Sequence, residues 1–161
     1  MKTLMLVSII FVCLLSWGSV FFLRQRLHPL EIFACYLFYT TLLQQSFTIL
    51  TLNLHLFEMT DGVAVMIPIK LMGLSFYPIV NLWLLSFLGS RRIRLRYKFL
   101  LVIPFQLLLV GADFFHGWAG YIKVNHWSII HGEVRHLVLL SLALLFMAGY
   151  RNLLRKERIT A

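Results

Sequence analysis

One stretch of this chain, residues 3–22, reads TLMLVSIIFVCLLSWGSVFF and contains no charged side chain. A transmembrane α-helix needs about 20 consecutive, mostly apolar residues to cross the hydrocarbon core of a bilayer. This stretch meets both requirements, so it predicts a membrane-spanning helix. We interpret the helix as retained, because the apolar run is longer than that of a typical signal peptide and no A-x-A cleavage pattern follows it. A cleaved signal peptide is the alternative.

The composition of the whole chain agrees with a membrane location. Of its 161 residues, 60% are apolar and only 13% are charged, and the mean hydropathy is +0.84. Soluble domains average about 45–50% apolar and about 25% charged residues. A water-soluble globule of this length could not cover its surface with so few charges. The composition therefore excludes a soluble enzyme, a soluble nucleic-acid-binding domain and a disordered chain.

Four further stretches are long and apolar enough to form membrane spans. With the first stretch they predict an all-α membrane bundle of about five transmembrane helices, forming a single transmembrane domain over residues 1–161. The predicted spans are 3–22, 30–56, 62–88, 99–118 and 127–150. Pro68 and Pro78 predict kinks in the third span, whose freed backbone groups neighbouring helices must satisfy. Cys13 and Cys35 lie in apolar runs without metal-binding spacing, so no disulfide framework is expected.

The net charge of +9 is best explained by the way the chain is threaded through the membrane. Eleven of the fifteen basic residues fall in the first loop, the third loop and the C-terminal tail: Arg24, Arg26, Arg91, Arg92, Arg94, Arg96, Lys98, Arg151, Arg155, Lys156 and Arg158. With five spans these three segments share one side, which the positive-inside rule assigns to the cytoplasm. We therefore expect a multi-pass plasma-membrane protein with its N-terminus outside and its C-terminus in the cytoplasm. The partner of these charges is expected to be the lipid bilayer and not nucleic acid, since each adds about 1 kcal/mol of attraction to anionic lipid.

Polar residues recur inside the spans at intervals of three and four residues, which places them on one face of each helix. The faces are Gln44, Thr48, Thr51 and His55; Lys70, Gly73, Tyr77 and Asn81; Gln106, Asp113 and Gly117; and Ser128, His131 and Arg135. Lipid cannot satisfy such groups, so these faces should meet one another. We predict an outward-facing polar cluster of His55, Lys70, Asp113, His116, Glu133, Arg135 and His136. In this cluster the negative charges of Asp113 and Glu133 should compensate the positive charges of Lys70 and Arg135.

Several roles for this cluster remain open at the level of sequence. It can be a paired network that fixes helix packing without any ligand. The i, i+3 pairs Asp113/His116 and Glu133/His136 have the spacing of carboxylate–histidine metal ligands in helical bundles, which makes these four residues weak metal candidates. Haem held by two histidines, such as His55 with His116 or His136, is a third possibility. Transport is a fourth, for which the two prolines of the third span are suggestive.

No sequence motif supports catalysis or predicts a bound cofactor. GxSxG, P-loop and HExxH patterns are absent from the sequence, so an enzyme is the less favoured class. The first functional interpretation is a non-enzymatic membrane protein that acts through helix packing or through association with a membrane-protein partner or a second copy. The alternative is a small transporter or an ion- or ligand-binding membrane protein that uses the polar cluster.

The chain resembles, over its whole length, uncharacterised small multi-pass membrane proteins of endospore-forming Gram-positive bacteria. The resemblance is carried by the short hydrophobic spans, by His28-Pro29-Leu30-Glu31 at the start of the second span, by the pair Gln44-Gln45 and by the arginine-rich loop after Gly89. It implies a plasma-membrane location. It implies no catalytic residue, because proteins of this kind have no established activity.

Overall fold

The computed structural model describes residues 2–59, 63–90, 93–125 and 128–157. These residues form a helical bundle with one small two-stranded sheet, which confirms the predicted all-α fold class; the sheet was not predicted. The elements are α1 (Lys2–Leu23), α2 (Pro29–Thr48), a π-helical turn (Ile49–Asn53), β1 (Phe57–Met59), α3 (Val63–Leu74), α4 (Phe76–Leu88), α5 (Leu95–Trp118), β2 (Ile122–Val124) and α6 (Ile129–Lys156).

Within the described residues, four helical segments are long and apolar enough to cross a membrane. They are Leu4–Leu23, Val65–Leu88, Leu95–Trp118 and Ile129–Lys156. The second predicted span is not among them. Its helix α2 has 20 residues and runs on into the five-residue π-helical turn, so its length suffices. However, α2 ends on a polar segment that includes Gln44, Gln45 and Ser46, which lowers its mean hydropathy.

The third predicted span is broken at Ser75, between α3 and α4. Pro78 explains the break, because proline lacks an N–H and its ring clashes with the carbonyl four residues earlier, which is that of Leu74. The Tyr36 hydroxyl of α2 donates a hydrogen bond to the Leu74 oxygen at 2.5 Å. The Trp17 indole of α1 donates to the Ser75 hydroxyl at 3.1 Å. Neighbouring helices thus satisfy the polar groups at the break, as expected from the proline.

Helix α4 lies at the centre of the bundle, where it packs against α1, α2 and α5. Most of its residues are buried, including the fully buried Leu84 and Leu85. Its Trp83 indole donates to the Ser19 hydroxyl of α1 at 2.9 Å. Because α4 is surrounded by helices, its polar side chains bond to other helices, as Tyr77 does, or to its own backbone, as the Ser86 hydroxyl does by donating to the Trp83 carbonyl.

The loop after α1, the end of α4 and the end of α6 meet at one end of the bundle, which we call the basic end. The Arg151 guanidinium of α6 donates from Nε to Glu31 Oε1 of α2 at 2.8 Å. The Arg26 guanidinium lies over the Phe87 ring, 5.0 Å from its centroid. Glu31 also accepts a hydrogen bond from the His28 backbone N–H in a capping box that begins α2.

The loops before α3 and before α6 meet at the opposite end, where β1 pairs with β2 in antiparallel fashion. Glu58 lies opposite Lys123 in this register. The Asn125 side chain donates to Glu58 Oε1 at 2.9 Å and to the His55 carbonyl at 3.3 Å. The two loops are therefore held together at this sheet end, as alternating antiparallel helices require.

The helix bounds shift several basic residues from loops into helices. Helix α5 begins at Leu95 and not at the predicted residue 99, and α6 continues to Lys156, beyond the predicted residue 150. As a result Arg96, Lys98, Arg151, Arg155 and Lys156 lie in the terminal turns of helices, whereas Arg24 and Arg26 lie in the loop after α1 and Arg94 immediately precedes α5. Arg91, Arg92 and Arg158 lie outside the described residues.

Candidate functional site

The Asp113 carboxylate is the centre of a polar network between α4, α5 and α6. Arg135 Nη2 donates to both of its oxygens, at 2.8 and 3.1 Å. The Tyr77 hydroxyl donates to Oδ1 at 2.7 Å, and His136 Nε2 lies 2.9 Å from Oδ2. The side chains of Asp113 and Arg135 are only 14% and 10% exposed, so the charges are compensated mainly by each other. The Asp113 carboxylate of α5 thereby connects α4 and α6 to its own helix.

The His136 ring contacts both members of the ion pair. A carboxylate only accepts hydrogen bonds, so His136 donates to Asp113 in the tautomer that carries its proton on Nε2. Arg135 Nη2 lies 3.0 Å from the same nitrogen, which places two donors around one carboxylate oxygen. The ring is fully buried and lies nearly parallel to that of Tyr77, with 5.9 Å between centroids and 10° between planes. Packing and hydrogen bonding therefore hold this ring in one orientation.

Lys70 of α3 forms no ion pair with a carboxylate among the described residues. Its ammonium donates to Gln44 Oε1 of α2 at 2.8 Å, and the lysine side chain is exposed. Gly73, one turn further along α3, makes this contact possible, because a Cβ at that position would lie 2.9 Å from Gln44 Nε2. The Lys70 ammonium thus lies beside a neutral amide.

His116 presents a hydrogen-bond acceptor that has no partner among the described residues. Its Nδ1 lies 2.7 Å from the Ala112 carbonyl oxygen, which can only accept, so Nδ1 carries the proton. In the neutral ring Nε2 then carries a lone pair. The residue is 3% exposed and Nε2 is buried without a hydrogen bond in the described part of the chain. A buried acceptor of this kind normally has a partner.

These residues surround a cleft that we call the polar cleft. Its volume is about 40 Å³, and its polar lining is formed by Gln44, Lys70, Tyr77, Asp113, His116 and Arg135. Apolar residues, among them Phe47, Ile69 and Ile122, complete the wall. A water molecule needs about 10–15 Å³ measured in this way, so the space corresponds to about three waters. Since Ile122 belongs to β2, the cleft lies near the sheet end of the bundle.

Two residues of the predicted cluster, Glu133 and His55, lie outside both the hydrogen-bond network of Asp113 and the lining of the polar cleft. Glu133 is half-buried on α6 and takes no part in the hydrogen bonds around Asp113 within the described chain. His55 is exposed in the loop before β1, with a φ of 49°, and does not line the polar cleft. Among the described residues, no group of three or more histidine, cysteine and acidic side chains is arranged to hold a metal ion. The candidates Asp113, His116, Glu133 and His136 are therefore not gathered into such a group.

Gln44 and Tyr77 belong to the site although the sequence analysis did not include them in the cluster. Both stand on the polar faces predicted from the three- and four-residue spacing, so the signal was present. The predicted cluster contains only acidic and basic residues and histidines. Buried amides follow the same pattern, since Asn81 and Gln106 are 0% and 3% exposed on the same predicted faces.

Comparisons with protein-family models, with curated proteins and with solved structures find no match to this chain. The site is therefore interpreted from its own residues.

Proposed function

We propose that this chain is a plasma-membrane protein with five spans, its N-terminus outside and its C-terminus in the cytoplasm. Four apolar helical segments of sufficient length support membrane insertion. For the fifth span the support is α2 with its π-helical turn, which packs against α4 and α6 inside the bundle. The gathering of Arg26, Lys98 and Arg151 at the basic end supports a cytoplasmic location for that end.

A topology experiment tests this proposal. Reporters that are active only in the cytoplasm, or only outside it, are fused after the last residue and, in a second series, inserted between β1 and α3. The cytoplasmic reporter should be active at the C-terminus, and the external reporter in the loop. The opposite pattern, or an even number of spans between these two points, would contradict the threading.

We further propose that the protein binds a small anionic ligand in the polar cleft, without a catalytic step. The observation that carries this proposal is the buried Nε2 acceptor of His116, which lacks a partner in the described chain and belongs to a residue that lines the cleft together with the exposed Lys70. The formal charges of Lys70, Arg135 and Asp113 leave the lining with one excess positive charge. An anion with a hydrogen-bond donor, such as a small hydroxy acid, would meet both the ammonium and the imidazole nitrogen.

Heating of the purified protein in detergent tests this binding. Glycolate and acetate form a matched pair, because both carry a carboxylate and only glycolate adds a hydroxyl. Glycolate should raise the Tm in a saturable manner and at lower concentration than acetate, since a site built to bond a hydroxyl discriminates against its absence. The Lys70→Gln variant should lose the effect, whereas Lys123→Gln, at an exposed lysine of β2, should retain it.

The same experiment has a clear negative outcome. If glycolate, acetate, bicarbonate and chloride all leave the Tm of the parent protein unchanged, the binding proposal is wrong. An equal response of the Lys70→Gln and Lys123→Gln variants would show that the anions act on the general surface charge and not in the cleft.

A structural role is the second candidate function, and it is favoured by the closed network around Asp113. Tyr77, Arg135 and His136 each direct a polar group to this carboxylate from neighbouring helices. Such a network stabilises one arrangement of the bundle without any ligand. Tyr77, Asp113 and Arg135 belong both to the network and to the cleft lining, whereas Lys70 takes no part in the hydrogen bonds of Asp113, so Lys70→Gln tests binding while the ion pair stays in place.

A further inference from the structure

A second pocket lies at the basic end of the bundle, and none of its lining residues lines the polar cleft. Its volume is about 640 Å³, and its lining comes from the loop after α1, from the end of α4 with Gly89, Ser90 and Ile93, and from the end of α6. Its polar lining consists of Gln25, Arg26, Ser86, Ser90 and Arg151. Small-molecule sites have volumes of about 300–1,000 Å³, so this pocket has the size of a ligand site.

The charges around this pocket are positive. Arg26 and Arg151 line it, and no carboxylate does so among the described residues. Arg26 is exposed in the loop, with its guanidinium placed over the Phe87 ring. Lys98 lies nearby and donates from Nζ to the Leu88 carbonyl at 2.6 Å, which compensates the negative end of the α4 dipole. The field in the pocket therefore favours an anion.

Arg151 combines a structural contact with a place in the pocket wall. Its Nε and Nη2 donate to the buried Glu31 carboxylate, at 2.8 and 3.5 Å. Its Nη1 lies beside Gly89, where a Cβ would be only 2.6 Å away. The guanidinium is thus held in place by α2 and by the end of α4. Within the described residues no salt bridge anchors Arg26 in this way, so its guanidinium is placed to contact a ligand.

We propose that this pocket binds a phosphate group carried on a small polar molecule. Guanidinium groups match phosphate oxygens through paired hydrogen bonds, and the Gln25 amide adds a neutral donor. A phosphate alone would leave most of the volume empty, so the remainder accommodates a group of about the size of glycerol. Two sources share this chemistry: the headgroup of an anionic phospholipid, and a water-soluble phosphate ester.

A binding experiment on the purified full-length chain distinguishes these sources. The protein in a neutral detergent is titrated with short-chain phosphatidylglycerol, with diacylglycerol of the same chain length, with glycerol phosphate and with inorganic phosphate, and bound species are counted by native mass spectrometry. We expect saturable binding of phosphatidylglycerol and none of diacylglycerol. Equal or tighter binding of glycerol phosphate would identify the soluble ester as the ligand class, and still support the phosphate pocket.

Substitutions test whether binding occurs in the pocket. Arg26→Gln removes one charge-assisted contact and should weaken binding about tenfold. Ile93→Glu adds a carboxylate to the pocket wall and should weaken it as well. Arg155→Gln, at an exposed arginine of α6 outside the pocket, is the matched control and should bind like the parent. Circular dichroism verifies that all three variants are folded.

Two results would overturn the proposal. The first is that no phosphate-bearing probe binds the parent protein in a saturable manner. The second is that Arg155→Gln weakens binding as much as Arg26→Gln, because attraction to the whole basic end would then explain the affinity without a pocket.

Discussion

Replacement of Asp113 by alanine should be among the most destabilising single substitutions in this bundle. The change removes the acceptor of four hydrogen bonds and leaves Arg135, whose side chain is 10% exposed, without its counter-charge. Removal of one partner from a buried ion pair costs about 3–5 kcal/mol, because the other charge stays buried. We therefore expect the free energy of unfolding to fall by about 3 kcal/mol or more.

Two other substitutions provide reference values for the loss of stability expected of Asp113→Ala. Tyr77→Phe removes one hydrogen bond from the same carboxylate and leaves the ion pair, so it should cost about 0.6 kcal/mol and at most about 1.7 kcal/mol, as for other hydrogen bonds inside membranes. Glu133→Ala is the matched control, since Glu133 is also a carboxylate within a span but takes no part in the network. It should change stability by less than about 0.5 kcal/mol.

A double-mutant cycle isolates the ion pair from the other contacts. Asp113→Leu with Arg135→Met removes both charges together, so the double variant should be more stable than Asp113→Leu alone. Stability is measured by reversible unfolding of the purified protein in mixed micelles with increasing dodecyl sulfate, followed by far-UV circular dichroism. The reasoning would be refuted if Asp113→Ala cost no more than Tyr77→Phe, or if the two charge-removing substitutions were additive.

Two further predictions concern contacts that the sequence alone did not reveal. Tyr36→Phe leaves the Leu74 carbonyl at the break of the third span without its donor and should cost about 1 kcal/mol, measured by the same unfolding assay; an unchanged stability would mean that another donor reaches this carbonyl. Gly89→Ala should destabilise the protein, because the new Cβ would lie 2.6 Å from Arg151 Nη1 and displace its guanidinium. Gly111→Ala, a helical glycine with nothing within 4 Å of the added atom, is its control and should be neutral or stabilising; equal loss in both variants would contradict the close-contact argument.

The amino-acid pattern predicted the helical class and most helix positions because both depend on local features. Apolar runs of about 20 residues need no tertiary information to be identified as helices of membrane length. The bounds were less accurate where charged residues continue a helix beyond the apolar run, as at Leu95 and Lys156. The break at Ser75 was foreseen only as a kink, since Pro78 identifies the carbonyl that loses its donor but not the group that replaces it.

The polar faces were also predictable, because a spacing of three and four residues is a property of the helix itself. Which residues of these faces contact one another could not be predicted from the spacing. From the sequence, Asp113 and Glu133 were both expected to pair with the two intramembrane cations, Lys70 and Arg135. In the structure Arg135 pairs with Asp113, and Lys70 donates to the amide oxygen of Gln44. Glu133 lies only two positions from Arg135 on the same helix, so its side chain leaves the helix in a different direction.

By itself the sequence determined that the chain is helical, that its polar groups share one face on each helix, and that eleven of its fifteen basic residues fall in three short stretches of the chain. Only the tertiary structure decided that Asp113 pairs with Arg135, that the cleft-lining His116 has no partner for Nε2 in the described chain, and that Arg26 and Arg151 border one pocket. The physical reason is that periodicity fixes the direction of a side chain relative to its own helix axis. It does not fix the rotation and axial offset between helices, and a change of either by a fraction of a turn would bring different partners within hydrogen-bond distance.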